Sequence, residues 1–237
     1  MESFSWQAFY AGDLQQVYAL VVVPALLLVI VLVAGSSRDA AFADARFLRL
    51  YIVTFCVETI VDPIATGPIT HALGLGETAS TGVMLAFVLI GDFRVFLLVS
   101  YLTRSERSLR TAALEAGLWT LVVPVFTGIS LASLKFVVPE LPEQVMWLTY
   151  ELAFVVVVLV LRRRVVPIRL TDENGDLARR LQAVVGYVGC YYALWATSDA
   201  LTLFGGLDVS WLLRIVPNQL YYGFYLPWVA FVFFWRR

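Results

Sequence analysis

The sequence predicts an all-α fold: a single integral membrane domain, residues 1–237, built as a bundle of seven transmembrane helices. The chain is 60% hydrophobic and 15% charged, whereas soluble domains are about half apolar and about a quarter charged. Apolar runs long enough to cross about 30 Å of hydrocarbon recur along its whole length. Basic residues concentrate in alternate connections between these runs. These three observations predict a multi-pass protein whose first partner is the lipid bilayer.

Each apolar run has roughly the 20 residues that a transmembrane helix needs. The second run is the weakest, because Pro63, Gly67 and Pro68 interrupt it. Transmembrane helices tolerate proline better than soluble helices do, so this run is retained as a span. The predicted helices cover about 16–35, 47–68, 79–102, 111–135, 144–162, 181–204 and 211–235.

The arginine distribution predicts the orientation. Arginine clusters follow the first, third, fifth and seventh runs, whereas Lys135 is the one basic residue in the opposite connections. The positive-inside rule then places the N-terminus outside and the C-terminus in the cytoplasm. Because the start Met1-Glu2-Ser3 lacks the basic residues of a signal peptide, the first run is expected to be retained as a helix. The expected location is the cell membrane, which is the cytoplasmic membrane if the source is bacterial.

Five acidic residues inside the predicted spans are the strongest indication of function. A carboxylate in hydrocarbon costs roughly 2.5–3.5 kcal/mol on insertion scales. Such a group must therefore face the protein interior or a wet cavity, pair with a cation, or hold a proton. The five residues are Glu58, Asp62, Asp92, Glu151 and Asp199.

Two arginines lie within reach of these acids. Residues two apart point away from each other on a helix, so Arg94 is expected to pair across helices, with Glu58 or Glu151 as candidates. The short link between the sixth and seventh runs predicts a pair of Asp199 with Arg214 near the outer surface. Arg94 alone cannot balance the remaining acids, so at least one of them is expected to hold a proton or reach water.

Tyrosines in the middle of predicted helices indicate a ligand cavity beside the acids, because a buried hydroxyl requires a partner. An aromatic box suits organic cations or flat apolar ligands, although large aromatics also fill bundle cores. The candidate set for binding a small molecule or a proton is Glu58, Asp62, Asp92, Arg94, Glu151, Tyr191, Asp199, Arg214, Asn218 and Tyr222.

Several cofactors and partners are not expected. The single histidine, His71, lies in a connection, which excludes bis-histidine haem and a histidine zinc site, and no metal site is predicted. The seven-helix plan resembles microbial rhodopsins in architecture, but their retinal is held by a lysine in the last helix, and residues 210–237 contain none. A net charge of −1 gives no field for nucleic acid.

Two dipeptides carry a resemblance to a known family. An early helix carries Gly91-Asp92 and a late helix carries Ser198-Asp199, and both pairs are similar to pairs in the YhhN family, which resembles lysoplasmalogenases. The last helix, with Gln219 and its tyrosines, is also similar to the terminal segment of that family. The resemblance implies an intramembrane hydrolase of lipid-like esters or ethers, with Asp92 and Asp199 as its acid/base pair. The chain departs from that family in having seven predicted helices rather than eight, and in lacking a histidine between the two aspartates.

Three functions therefore remain open. Small-solute or proton-linked transport predicts that the buried acids converge on one polar cavity. The lipid hydrolase requires two carboxyl groups within reach of one substrate. A ligand sensor or accessory subunit requires a membrane partner or a second copy of the chain to deliver its output.

Overall fold

A computed structural model describes residues 5–33, 44–106, 108–170 and 175–235, and within these ranges the chain is helical with no strand. Seven long helices follow one short one, and each predicted run corresponds to one of the long helices. Residues 34–35 of the first run lie outside the described residues. The helices are α1 (Trp6–Ala11), α2 (Leu14–Val33), α3 (45–72), α4 (Glu77–Leu102), α5 (Leu109–Lys135), α6 (Glu143–Arg169), α7 (Gly175–Gly205) and α8 (210–235).

Four of these helices, α2, α4, α5 and α6, are long and apolar enough to cross a membrane. The chain is therefore a membrane protein built of helices. Large apolar side chains also cover the outside of the bundle, for example Leu118 and Ile129 of α5, which are 70% and 64% exposed. Contiguous exposed apolar surface of this kind is typical of contact with lipid.

The helices pack mainly against their neighbours in sequence. Helix α2 contacts α3, α4 contacts α5, α5 contacts α6, α6 contacts α7, and α7 contacts α8. Helix α8 also packs against α2 and α3, which closes the bundle. The buried interior combines aliphatic side chains with aromatic ones such as Tyr51, Phe96, Phe154 and Tyr191. The mid-helix tyrosines are thus part of the core as well as candidate ligand contacts.

Wider π-helical turns interrupt α3 at Ala65–Ile69 and α8 at Gln219–Phe224. In α3 the turn contains Pro68, which has no N–H to continue the α-helical ladder. In α8 the turn leaves two carbonyl oxygens for other donors: the Tyr187 hydroxyl donates to the Leu220 carbonyl, and Arg94 donates to the Tyr221 carbonyl. Such turns recur at functional sites.

At the end of the bundle that carries the arginines, Glu115 of α5 accepts hydrogen bonds from Arg104 and Arg169. This carboxylate therefore joins α5 to the end of α4 and to α6. Four arginines of the clusters that predict the orientation lie outside the described residues, namely Arg38, Arg107, Arg236 and Arg237.

Gly91 of α4 allows the closest approach between α4 and α8. A Cβ atom at this position would overlap the hydroxyl and the Cζ atom of Tyr221. The Tyr221 ring is buried and lies under the Arg94 guanidinium, so it has little room to move. The glycine of the Gly91-Asp92 pair therefore has a packing role.

We expect Gly91→Ala to lower the stability of the protein by about 1–3 kcal/mol, the usual cost of overpacking a filled site. Gly117→Ala is the matched control, because a Cβ at Gly117 meets no atom within 4 Å and alanine favours a helix. Unfolding of the purified proteins in detergent compares the two. Equal stability of the two variants would contradict this packing role.

Candidate functional site

A cavity of about 420 Å³ lies among α1, the start of α2, α4, α6, α7 and α8. It occupies the end of the bundle that holds α1 and the α7–α8 connection, residues 206–209, which we term the cavity end. About half of the residues in its wall are aromatic, and they include Trp147, Tyr150, Tyr192, Trp195, Tyr221 and Tyr222. The exposed residues Gln7 and Glu143 lie at its rim. The cavity is therefore an apolar pocket with a few polar groups, which is typical of small-molecule sites.

Helix α1 forms part of the cavity wall through Gln7, Tyr10 and Ala11. Asp208, in the α7–α8 connection, holds the start of this helix. Its carboxylate accepts the Trp6 N–H at 2.7 Å, the Gln7 N–H at 3.2 Å and the Ser5 hydroxyl at 3.0 Å. These bonds satisfy N–H groups that a helix start leaves unpaired, and they fix α1 against α8.

Tyr10 continues this contact into the cavity. The Asn218 amide donates to the Tyr10 hydroxyl at 3.1 Å, and the Trp195 indole N–H donates to the Asn218 carbonyl oxygen at 2.8 Å. Asn218, a residue selected from the sequence, thus links α1, α7 and α8 at the wall.

Glu151 and Asp199, which we term the carboxyl pair, lie with Arg214 at the inner wall. Arg214 Nη1 is 2.8 Å from Asp199 Oδ1, which confirms the predicted ion pair between α7 and α8. The two carboxyl groups lie within hydrogen-bonding reach of each other. Glu151 and Arg214 line the cavity, whereas Asp199 is fully buried behind them. Glu151 Oε2 and both Asp199 oxygens accept no well-aligned hydrogen bond from the described residues.

Asp92 lies one side chain behind the wall. Its carboxylate accepts hydrogen bonds from the hydroxyls of Tyr150 and Tyr192, whose rings line the cavity. Two phenolic donors satisfy this buried acid without an arginine partner.

Arg94 occupies a separate, fully buried site. It donates to Thr59 Oγ1 and to the Tyr221 carbonyl, each at 2.9 Å. Glu58 Oε2 is 3.7 Å from Arg94 Nη1, which confirms Glu58 as its acidic partner. The guanidinium carbon lies 4.2 Å and 4.7 Å from the ring centroids of Tyr221 and Tyr225. Arg94 therefore ties α4 to α3 and α8 near the centre of the bundle.

Asp62 and Tyr191 are the remaining two of the candidate residues that the sequence predicted. The Asp62 carboxylate lies near two hydroxyl donors, Tyr222 from α8 and Thr66 from its own helix. The Tyr191 hydroxyl is fully buried and makes no hydrogen bond with the described residues. Tyr222 lines the cavity, but Tyr191 lies behind its wall.

The expectation that the acids and Arg94 meet in one cavity requires correction. Of that group, Glu151 lines the cavity, while Glu58, Asp62, Asp92 and Arg94 do not. The physical reason is that hydroxyls and Arg94 on adjacent helices satisfy each of these acids separately. Asp92 and Asp199, the residues that resemble an acid/base pair, likewise belong to different networks, and neither lines the cavity.

Sequence reasoning missed the rim of the cavity, where α1, Glu143, Trp147 and Trp211 lie. Some local signals were present. Ser5 is suited to cap a helix start, and the Trp147 indole donates to Glu143 four residues earlier, at 3.2 Å. No hydropathy pattern connects these residues to a common site.

Comparison of the chain with models of protein families, with curated proteins and with solved structures finds no match. The similarity to the YhhN family therefore consists of the short motifs given above. Within the described residues, no three His, Cys, Asp or Glu side chains are grouped as metal ligands.

We expect removal of the Asp208 carboxylate to release α1 from the cavity end. In Asp208→Ala, the amide protons of residues 6–11 should exchange with solvent roughly five-fold faster, as when a helix cap is lost. Asp13→Ala is the matched control, since the Asp13 side chain caps no helix. Hydrogen exchange followed by mass spectrometry measures both.

The same contact predicts a pH dependence. The bond from the Trp6 N–H, helped by the Gln7 N–H and the Ser5 hydroxyl, holds the pKa of Asp208 below its usual value. A lowered pKa stabilises docking of α1 above the ordinary aspartate pKa, and this stabilisation is lost as the pH falls through the lowered pKa. Protection of α1 that is independent of both pH and Asp208 would contradict this account.

Proposed function

We propose that this membrane protein transports a small solute in a cycle linked to protons, and that the solute and the proton use the cavity at the carboxyl pair. One observation carries the proposal: Glu151 and Asp199 lie within hydrogen-bonding reach of each other but share a single arginine, Arg214. Two ionised carboxylates have no proton with which to bond each other. Their contact therefore needs one proton between them, in a group that lines a ligand-sized cavity.

The unpartnered oxygens support this assignment. A shared proton would bond Glu151 to Asp199 and would reduce the number of unsatisfied acceptors in the interior. With one proton on the pair, the remaining negative charge is matched by Arg214. The group is then neutral, which suits a low-dielectric site.

We further propose that all seven long helices, α2–α8, span the bilayer, with the N-terminus outside and the C-terminus in the cytoplasm of a cell membrane. Hydropathy alone identifies four spans. Helices α3, α7 and α8 are less apolar because they carry Glu58, Asp62, Asp199 and Arg214, and these side chains point into the bundle rather than toward lipid. Seven spans also leave the described arginine clusters on one side.

Access to the cavity from one side fits a transporter in one of its states. Gln7 and Glu143 mark an opening at the cavity end. Toward the bundle centre, Tyr51, Arg94 and Tyr225 are packed together: the Tyr51 hydroxyl donates to the Arg94 carbonyl at 2.9 Å and lies 2.8 Å from the Tyr225 hydroxyl. Alternating access would require this barrier to open, and the π-helical turns of α3 and α8 are suitable places for bending. The hydrolase and the sensor remain predictions without a comparable observation.

We expect Glu151→Gln to abolish solute-driven proton movement. Wild-type protein is reconstituted into liposomes containing a pH-sensitive dye, and quaternary ammonium compounds, amino acids and sugars are added in turn outside. At least one class should change the internal pH with wild type and none with Glu151→Gln, because an amide cannot carry the proton. Glu140→Gln, the same change in an exposed connection, is the control.

A second measurement does not depend on knowing the solute. Infrared spectroscopy should detect the carbonyl stretch of a protonated carboxylic acid in wild type and in Glu140→Gln, and the band should be lost or weakened in Glu151→Gln. An unchanged band together with unchanged proton movement in Glu151→Gln would overturn the proposal.

A further inference from the structure

The charges around the cavity are unbalanced. Glu143 and Glu151 line it, and Asp92 and Asp199 lie directly behind its wall. Arg214 is the one cationic side chain that lines the described cavity, and it is already paired with Asp199. The potential inside is therefore negative whenever the carboxyl pair lacks its proton. A negative, partly desolvated pocket selects against anions and favours a cation.

The rings supply a second feature suited to cations. The Arg214 guanidinium carbon lies 5.7 Å from the Tyr10 ring centroid and 5.4 Å from that of Trp211, so this wall already holds one cation against aromatic rings. The ring pairs Trp147–Tyr150 and Tyr192–Trp195 have centroids 6.4 Å and 5.5 Å apart. The hydroxyls of Tyr150 and Tyr192 donate to Asp92, which makes both rings richer in electrons and better partners for a cation.

Glu151 provides the counter-charge. The residue is 3% exposed, lines the cavity, and its Oε2 has no hydrogen-bond partner in the described part of the chain. Two charged groups lie near it, Asp199 from α7 and Arg214 from α8. On its own helix the nearest titratable residues that line the cavity are Tyr150 and, at the rim, Glu143.

We infer that the solute is a monovalent organic cation with an aromatic or compact apolar body. Its charge replaces the shared proton at the carboxyl pair, and its body lies among Trp147, Tyr150, Tyr192 and Trp195. This inference rests on the proposed function in taking the same cavity as the solute site. The volume of about 420 Å³ is near the lower end of the roughly 300–1,000 Å³ of small-molecule sites, so the cation is small.

The exchange balances charge. One proton leaves the carboxyl pair for water as one monovalent cation enters, so the wall has the same net charge before and after. Arg214 keeps its pairing with Asp199 throughout. A neutral solute of the same shape would leave the proton in place and gain no ionic contact.

The test compares two probes that differ in charge alone. Benzyltrimethylammonium is the cation, and neopentylbenzene is its neutral isostere, with carbon in place of nitrogen. Binding to the full chain in lipid nanodiscs is followed by tryptophan fluorescence and by competition. We expect the cation to bind at least about ten-fold more tightly than the neutral probe, because the site supplies both rings and a carboxylate. Equal affinity for the two probes, or tighter binding of benzenesulfonate, would overturn the inference.

Two pairs of variants locate the contact. Glu151→Gln should weaken cation binding about ten-fold and leave binding of the neutral probe unchanged, whereas Glu140→Gln should change neither. Trp147→Leu, at the partly exposed rim, should weaken cation binding about three- to ten-fold. Trp119→Leu is its control, because Trp119 packs on Phe96 away from the cavity. Wild-type affinity in both Glu151→Gln and Trp147→Leu would exclude this site.

Competition with the proton gives a separate readout. Cation affinity should fall as the pH is lowered, since the proton and the cation occupy the same pair, and this dependence should be weaker in Glu151→Gln. A pH dependence retained in Glu151→Gln and lost in Glu143→Gln would move the site to the rim and contradict the inference.

The outcomes also separate this inference from transport itself. Tight cation binding without proton movement in liposomes would support the ligand class and reject the transport cycle. Proton movement that depends on Glu151 but is driven only by neutral or anionic solutes would support the transport cycle and reject the cation.

Discussion

Each carboxylate inside this bundle must obtain a donor or a cation from neighbouring side chains, because hydrocarbon supplies neither. Most of the buried acids have such partners. Asp92 has two tyrosine hydroxyls, Glu58 has Arg94 and the Thr59 hydroxyl, and Asp62 lies near the hydroxyls of Tyr222 and Thr66. Glu151 differs: its nearest partner is another acid, and the arginine beside them is paired with that acid. This difference is the reason why we propose the carboxyl pair, rather than the other buried acids, as the functional site.

Tyrosine connects the cavity with the bundle centre. Tyr192 lines the cavity with its ring and bonds Asp92 with its hydroxyl. Tyr221 lines the cavity, contacts the Arg94 guanidinium, and has its carbonyl freed by the π-helical turn of α8 to accept from Arg94. Gly91 allows Tyr221 this position. The segment 91–94 of α4 ties that helix to α3, α6, α7 and α8. A ligand that shifted the rings of Tyr192 and Tyr221 would therefore act on both ends of this segment.

The sequence predicted where the helices lie along the chain and how deep each residue lies along its helix. Apolar runs located α2–α8, and the short α7–α8 connection placed Asp199 at the level of Arg214. The sequence could not predict how each helix is rotated about its axis, because α4 and α6 are apolar on most of their faces and no single face is marked as buried. Hence the pairing of Asp92 with Tyr150 and Tyr192, and the burial of Tyr191 behind the wall, could not be foreseen. Helix α1 was missed because it is short and held by a distant residue, Asp208.

The proposed exchange of a proton for a cation is consistent with the position of the carboxyl pair between helices. Glu151 is on α6 and Asp199 on α7, while α7 is joined to α8 by the Arg214 ion pair and by the Ser198 hydroxyl, which donates to the Ser210 carbonyl at 2.7 Å. With a proton, the two acids attract each other and hold α6 against the α7–α8 hairpin. Without a proton, two negative charges face each other in a poorly solvated space and repel. A bound cation restores the attraction. In the proposed cycle, the packing of α6 on α7 is therefore favoured when the pair holds either a proton or a cation and disfavoured when it holds neither, so that one leaves as the other binds.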